Sequence, residues 1–264
     1  MSSISIQDLT VAYPSTRSGR GVIALWHVDL EIETGEFVTV VGPSGCGKTT
    51  LLNVVAGLVP PSEGTVLVEG RPVVAPGPDR AVVFQDYALF PWRTVWDNVH
   101  YGLAHQPALR ADADDRIKSA IELVGLAGFE HAYPRQLSGG MRQRVGLARA
   151  LVADPKVLLM DEPFAAVDAM TRDVMQGELE RIVSQSGKTA IFITHSIDEA
   201  IVLGDRIVVA TTRPGRIKSI LPVDLPRPRW KIDIKAEPEF IRLREEIWYL
   251  LHDEALDHAH ASSA

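Results

Sequence analysis

Cysteine, long apolar runs and excess positive charge are all scarce in this sequence of 264 residues. Its single cysteine, Cys46, cannot form a disulfide within the chain, and a reducing compartment is expected. No window reaches the ~18 consecutive apolar residues of a membrane-spanning helix, and the N-terminus lacks the pattern of a secretory signal. Acidic residues (34) outnumber lysines and arginines (27), and the net charge is −7. We therefore expect no nucleic-acid partner, because binding phosphate backbones requires a basic face.

The apolar residues that are present follow two strand patterns. Residues 4–13 and 28–33 alternate apolar and polar side chains, as in an antiparallel sheet with one buried face. By contrast, residues 37–41, 157–160 and 190–193 form nearly continuous apolar runs, typical of strands covered on both faces. Because predicted helices alternate with strands of the second kind, the sequence predicts an α/β protein with a parallel sheet.

The remaining segments divide the chain into domains. The predicted helices cover residues 48–57, 112–124, 138–153, 170–185 and 239–251, and shorter strands are predicted at 66–68, 81–84 and 207–209. A mainly helical block at about 87–153 lies between strand-rich parts, so we expect a helical subdomain inserted into a domain that spans residues 1–225. Residues 226–264 are predicted to form a solvated, proline-rich linker that contains Arg227 and Arg229, an amphipathic helix and a frayed tail.

A phosphate-binding loop is indicated between the strand at 37–41 and the helix at 48–57. The pattern G-x-x-x-x-G-K-[ST] is matched by the run Gly42, Pro43, Ser44, Gly45, Cys46, Gly47, Lys48, Thr49 and Thr50. Glycines let backbone N–H groups turn toward phosphate oxygens, and the helix N-terminus adds positive partial charge. In this pattern Lys48 reaches the β- and γ-phosphates of ATP, and Thr49 ligates Mg²⁺. Cys46 is interpreted as a spacer within the loop.

Two carboxylates follow a second buried strand. The run at 157–160 leads directly into Asp161 and Glu162. Asp161 fits the acidic residue that holds Mg²⁺ in ATPases with such a loop. Glu162 is then available as the general base for the water that attacks ATP. The loop and the carboxylate pair together predict ATP hydrolysis.

A glycine-rich stretch precedes the strand that carries the two carboxylates. Its sequence, Leu137, Ser138, Gly139, Gly140 and Met141, looks like the LSGGQ signature, and the chain thereby resembles the nucleotide-binding subunits of ABC transporters. A glycine pair at a helix N-terminus can approach a phosphate closely. The resemblance implies that Ser138, Gly139 and Gly140 contact the γ-phosphate bound by a second copy of the chain. Met141 replaces the usual glutamine.

Four further positions match the family in order along the chain. The resemblance implies that Tyr13 stacks on adenine, a contact worth ~1 kcal/mol. It implies that Gln85 contacts Mg²⁺ and relays the nucleotide state to the membrane partner, and that His195 contacts the γ-phosphate. Asp168 is implied to contact nucleotide across the dimer, in a segment where Ala165 replaces the usual serine.

Three stretches narrow the resemblance to the nitrate, sulfonate and taurine importer branch. They cover residues 89–99, 170–176 and 213–217. The branch implies an ATP-hydrolysing subunit that powers uptake of a small anionic solute through a separate integral-membrane permease, with a solute-binding protein as an indirect partner. It also implies a peripheral location on the cytoplasmic face of the inner (plasma) membrane.

The resemblance also implies a fold and an assembly. The fold is a P-loop NTPase (RecA-like) core with a parallel sheet, an N-terminal antiparallel β subdomain and the inserted helical subdomain. The assembly is a head-to-tail dimer of two copies with ATP between them. The sequence leaves three alternatives open: an export ATPase, a non-transport ABC ATPase of chromosome maintenance or translation, and a simple P-loop kinase. The interpretation as a simple P-loop kinase leaves Ser138–Gly140 and His195 without a function.

Overall fold

Strands and helices are interspersed along the chain, as expected for an α/β protein. The computed structural model describes residues 2–14, 21–85, 88–165, 169–229 and 233–261. The strands are β1 (Ser2–Tyr13), β2 (Val22–Glu33), β3 (Phe37–Val41), β4 (Glu63–Val68), β5 (Arg71–Pro72), β6 (Arg80–Val83), β7 (Val157–Asp161), β8 (Thr189–Ile193), β9 (Arg206–Ala210) and β10 (Ile217–Pro222). The helices are α1 (Lys48–Ala56), α2 (Val95–His100), α3 (Ala113–Leu123), α4 (Gly139–Leu151), α5 (Ala169–Ser186), α6 (Ile197–Leu203) and α7 (Pro238–Ala261). The chain divides into two units, residues 1–76 with 189–264, and residues 77–188.

The first unit begins with an antiparallel sheet whose strand order is β2-β1-β4-β5. In β2 the apolar side chains of Val28, Leu30 and Ile32 are buried, while the acidic residues between them are exposed. One face of β2 is therefore covered, which confirms the prediction from its alternating pattern. The same prediction is wrong for β1, which lies between β2 and β4 and buries the polar side chains of Ser5 and Thr10 together with its apolar ones. The strand β2 begins earlier than predicted, at Val22.

The same unit contains the strands that lead to the glycine-rich loop, in the order β10-β9-β3-β8. β3 pairs in parallel with both β8 and β9, and β10 is antiparallel to β9. Every residue of β3 and β8 is buried, which explains why neither strand alternates in sequence. The strand β10 was not predicted, because its mostly half-exposed residues, which include Lys218 and Ser219, show no periodic pattern.

The second unit contains the predicted helical block together with strands and a long helix. Among its described residues, β6 pairs in parallel with β7, and Val83 lies opposite Met160. The helices α2, α3 and α4 lie between these strands in sequence, and α5 follows β7. The observed bounds of α3 and α4 agree closely with their predicted ranges.

Two predictions for the C-terminal segment are wrong. The helix α7 does not end near Leu251 but continues to Ala261, through part of the predicted frayed tail. Arg229 does not lie in a solvated linker, since it is only 2% exposed. Residues 225–228 form neither helix nor strand, as Pro226 and Pro228 indicated. Local composition, however, holds no information about the distant carbonyl groups that surround the Arg229 side chain.

Candidate functional site

The glycine-rich loop lies between two rigid elements of the first unit, the buried strand β3 and the helix α1. Gly45 (φ 76°) and Gly47 (φ 94°) adopt the left-handed backbone conformation that favours glycine. Gly47 is the N-cap of α1, and no acidic residue occupies the first turn of that helix. The loop and the helix N-terminus therefore present backbone N–H groups without a competing carboxylate, which suits an anion.

Lys48, the first residue of α1, is held beside the loop. The residue is 8% exposed, and its Nζ donates hydrogen bonds to the carbonyl oxygens of Gly42 (2.7 Å) and Pro43 (3.1 Å). An ammonium group has three rotatable donors, so it can exchange a carbonyl partner for a phosphate oxygen. The buried Sγ of Cys46 lies 3.7 Å from the same nitrogen, and this enclosed position agrees with its interpretation as a spacer.

Two further predicted contacts lie beside the start of α1. Thr49 is exposed, and its hydroxyl is a hard oxygen donor of the kind that Mg²⁺ accepts. Tyr13, at the end of β1, is 40% exposed, and its hydroxyl lies 3.4 Å from Oγ1 of Thr50. A tyrosine that is exposed next to the N-terminus of α1 agrees with a stacking role toward a nucleotide base.

His195 lies at the same sheet edge as the glycine-rich loop. β3 and β8 are parallel neighbours, with Val40 opposite Ile193, and the N–H of Thr194 donates to the carbonyl of Val40 at 3.2 Å. The carboxyl ends of parallel strands share one edge, where ligands of such sheets bind. Gly42 and the exposed His195 therefore leave neighbouring strands at one edge, which agrees with a shared γ-phosphate contact.

In the second unit, three predicted site residues follow the carboxyl ends of the β6–β7 pair. Asp161 is the last residue of β7, Glu162 follows it, and Gln85 lies exposed just beyond β6. Glu162 has a φ of 44° and is one of six described non-glycine residues with a positive φ. Such a conformation costs of order 1–3 kcal/mol and is found often at active sites. Asp168, predicted to act across a dimer, lies outside the described residues.

The glycine pair of the signature-like stretch begins α4. Ser138 is the N-cap, and its Oγ accepts a hydrogen bond from the N–H of Met141 at 3.2 Å. The space at Gly139 is open, since a Cβ there would contact only the tip of one arginine, at 3.9 Å. Gly140 packs closely on α5, where a Cβ would lie 3.1 Å from Sδ of Met175. Gly139 therefore leaves room for another group to approach the helix N-terminus, whereas a Cβ at Gly140 would displace the side chain of Met175 by a few tenths of an ångström.

A contact that supports the loop from outside was missed by the sequence reasoning. Arg213 donates from Nε to the carbonyl oxygen of Gly45 at 3.0 Å. Gly215 lies so close to the loop that a Cβ would be 1.9 Å from the carbonyl oxygen of Cys46. The stretch 213–217 served only as a family marker, because contacts between positions so far apart in sequence leave no periodic signal.

The family of the chain follows from comparison with known proteins. The family model described as ABC transporter matches residues 25–165. An ABC transporter ATP-binding protein of Methanocaldococcus jannaschii, MJ0412, described as uncharacterized, is 51% identical over 253 residues, which cover 96% of this chain and 92% of that protein.

Two longer relatives come from Synechococcus elongatus. The bicarbonate transport ATP-binding protein CmpC is 46% identical over 256 residues, covering 95% of this chain and 38% of CmpC. The nitrate import ATP-binding protein NrtC is 48% identical over 234 residues, covering 87% of this chain and 35% of NrtC. Among solved structures, the dimeric post-hydrolysis state of the ATP-binding cassette MJ0796 with ADP and Pi matches with a TM-score of 0.73 and 30% identity, over 84% of this chain and 100% of that one.

The chain belongs to the ATP-binding proteins of ABC transporters. Proteins of this class are ATPases coupled to transport, so the chain is an ATP-binding ATPase subunit of a transport system. The predicted family and fold class are confirmed, and the relation to NrtC and CmpC is consistent with the nitrate, sulfonate and taurine branch. Within the residues that the structure describes, no helix is long and apolar enough to cross a membrane.

Proposed function

We propose that the chain powers import of a small anionic solute, of the nitrate, sulfonate or taurine type, by hydrolysing ATP for a separate permease. The observation that carries the proposal is the glycine-rich loop between β3 and α1, with Lys48 held beside it. The similarity to NrtC and CmpC, whose names state nitrate import and bicarbonate transport, supports import of a small anion.

In this proposal the first unit binds the phosphates and the base of ATP. The loop N–H groups receive the phosphate oxygens, and the Lys48 ammonium replaces its bonds to Gly42 and Pro43 with bonds to the β- and γ-phosphates. The ring of Tyr13 stacks on adenine. His195, at the same edge of the sheet, contacts the γ-phosphate.

The Mg²⁺ ligands in this proposal are Thr49, Gln85 and Asp161. Their hydroxyl, amide and carboxylate oxygens form the hard donor set that this cation prefers. When bound, Mg²⁺ neutralises charge that develops on the phosphates. Thr49 is exposed at the start of α1, and Gln85 and Asp161 follow the carboxyl ends of β6 and β7.

Glu162 is proposed as the general base. Its carboxylate accepts a proton from the water whose oxygen attacks the γ-phosphorus, and the bond to the bridging oxygen of ADP breaks. The positive φ of Glu162 supports this role, because strained backbone conformations persist only where the surrounding structure over-determines them, and they cluster at active sites.

A second copy of the chain completes the site in this proposal. Ser138, Gly139, Gly140 and Asp168 of that copy contact the nucleotide held by the loop of the first. The open space at Gly139 and the exposed N-cap residue Ser138 support such a contact. The solved MJ0796 cassette is described as a dimer, which supports self-association of this chain.

The permease is proposed to contact Gln85 and the helical block that follows it. Trp92 is 71% exposed and packs on the ring of Phe90, with 5.7 Å between ring centroids. The buried side chain of Asn98 fixes this loop by bonding the backbone of Phe90, Arg93 and Thr94. An exposed indole on a rigid loop suits a protein partner. The location expected from this contact is the cytoplasmic face of the membrane.

The importer role is tested with the reconstituted transport system. The chain, its permease and the solute-binding protein are combined in vesicles, and ATP turnover is measured with solute-loaded and with solute-free binding protein. We expect the loaded binding protein to stimulate turnover more strongly than the solute-free one. Equal turnover in both cases contradicts import. Movement of solute out of the compartment that contains ATP, coupled to turnover, contradicts it as well.

A further inference from the structure

The helix α6 begins two residues after His195, and both of its ends are held by buried polar contacts. It connects β8 to β9 and packs against α7 of the C-terminal segment. All of these elements belong to the first unit.

At the N-terminal end, Glu199 binds the residues on either side of His195. The Oγ1 of Thr194 donates to Oε2 of the buried Glu199 at 2.5 Å, and it accepts the N–H of Ser196 at 3.0 Å. The Oγ of Ser196 in turn accepts the N–H of Glu199 at 3.3 Å. The backbone that carries His195 is therefore tied to the first turn of α6 from both sides.

At the C-terminal end, the guanidinium of Arg229 binds the last carbonyl groups of α6. Its Nη1 donates to the carbonyl oxygens of Ile201 (2.9 Å), Val202 (3.2 Å) and Gly204 (2.6 Å). These carbonyls lack partners within the helix, and the helix C-terminus carries negative partial charge. The site therefore stabilises a buried cation at the place where the helix would otherwise leave acceptors unpaired.

The same guanidinium joins α6 to the segment that follows β10. Its Nη2 donates to the carbonyl oxygens of Val223 (3.2 Å) and Leu225 (3.3 Å). Further along, Arg244 of α7 lies 3.3 Å from the carboxylate of Asp198, in the first turn of α6. The C-terminal segment thus contacts α6 at both ends, and Arg229 is the buried member of this contact.

We propose that Arg229 is a positioning residue for His195. By holding the C-terminal end of α6, it fixes the turn through which Glu199 orients the backbone around His195. This inference rests on the proposed role of His195 in ATP hydrolysis. It assigns Arg229, which was predicted to lie in a solvated linker, a part in the hydrolysis reaction.

The test is a double-mutant cycle between Arg229 and His195. ATP turnover and KM are measured for Arg229→Met, His195→Ala and the double variant. We expect Arg229→Met to lower kcat about tenfold, because small displacements of a catalytic group are costly, and to leave KM for ATP nearly unchanged. In the His195→Ala background, the same substitution is expected to change kcat by less than about twofold, since the two residues act through one group.

Two further variants make the cycle specific. Arg229→Lys keeps the charge but offers three donors instead of five, so its kcat is expected to lie between those of Arg229→Met and the wild type. If Arg229→Met does not fold, Arg229→Lys takes its place in the cycle. Arg242→Met is the matched control, because Arg242 lies exposed on α7 and pairs only within its own helix among the contacts described, with Glu239 and Glu246. We expect this control to retain wild-type kcat.

The outcomes separate the inference from the proposed function. Unchanged kcat in His195→Ala removes the proposed role of His195, and the inference fails with it. If His195→Ala does lose turnover, then an equal loss from Arg229→Met in both backgrounds overturns the inference alone. A loss of turnover in Arg242→Met as large as in Arg229→Met has the same consequence.

Discussion

The contact between Gly215 and the glycine-rich loop leads to a quantitative prediction for Gly215→Ala. A Cβ at Gly215 would lie 1.9 Å from the carbonyl oxygen of Cys46 and 3.0 Å from that of Ala24. Real contacts essentially never fall under 3.0 Å, so the loop and Gly215 must separate by about 1.1 Å, and the atoms involved are backbone. The substitution therefore displaces the loop itself rather than a flexible side chain.

The displacement is expected to lower both the free energy of unfolding and the affinity for ATP. Overpacking of this kind costs about 1–3 kcal/mol of stability, which lowers the melting temperature by roughly 2–12 °C in a chain of this size. Misaligning one backbone hydrogen bond to a phosphate costs about 1.5–3 kcal/mol. That loss raises the Kd for ATP roughly 10- to 140-fold.

The assay is a fluorescence titration with an ATP analogue below the melting temperature of every variant. Gly70→Ala is the matched control, because Gly70 has a positive φ (71°) and open space around it in the turn between β4 and β5. An alanine there costs about 1–2 kcal/mol through backbone strain without touching the loop. Wild-type affinity in Gly215→Ala, or the same loss of affinity in Gly70→Ala, would show that Gly215 does not hold the loop in its binding conformation.

Three further predictions concern the proposed ATPase site. Lys48→Ala is expected to raise the Kd for ATP at least about tenfold, since a hydrogen bond to a charged group is lost; an unchanged Kd in the same titration counts against the phosphate contact. Removing Mg²⁺ with EDTA is expected to abolish turnover, and full turnover in EDTA contradicts the role of Thr49 and Asp161 as ligands. Gly139→Asp is expected to melt within a few degrees of the wild type, because the site is open and an acidic residue suits a helix N-terminus, yet to lose most of its turnover by repelling phosphate. Unaltered turnover in that variant argues against a contact between α4 and nucleotide.

The structural features that the sequence predicted depend on chemistry that requires particular residues at fixed spacing. The strands β3 and β8 were predicted because burial on both faces demands apolar residues throughout. The loop at 42–50 was predicted because phosphate binding needs glycines, a lysine and a hydroxyl in one order.

The part that the sequence did not predict depends on contacts between distant segments. Residue 215 must be glycine because a Cβ there would collide with the backbone of Cys46. The sequence around residue 215 does not indicate this contact. In the sequence, Arg229 lies in a charged, proline-rich stretch that is typical of a linker. In the structure, its side chain is bound by carbonyl groups at the end of α6. The edge strand β10 is half-exposed and has no hydrophobic period to detect.

The role of Glu162 as the residue that activates the attacking water in an ATP-bound dimer can be measured through the mass and the turnover of Glu162→Gln in solution. Glutamine keeps the size of the side chain but accepts no proton, so ATP with Mg²⁺ is expected to bind normally and remain intact. Light scattering should then show a dimer with ATP and Mg²⁺ and a monomer without nucleotide, while turnover is lost. A mass that does not respond to ATP, or hydrolysis at nearly the wild-type rate, contradicts this role.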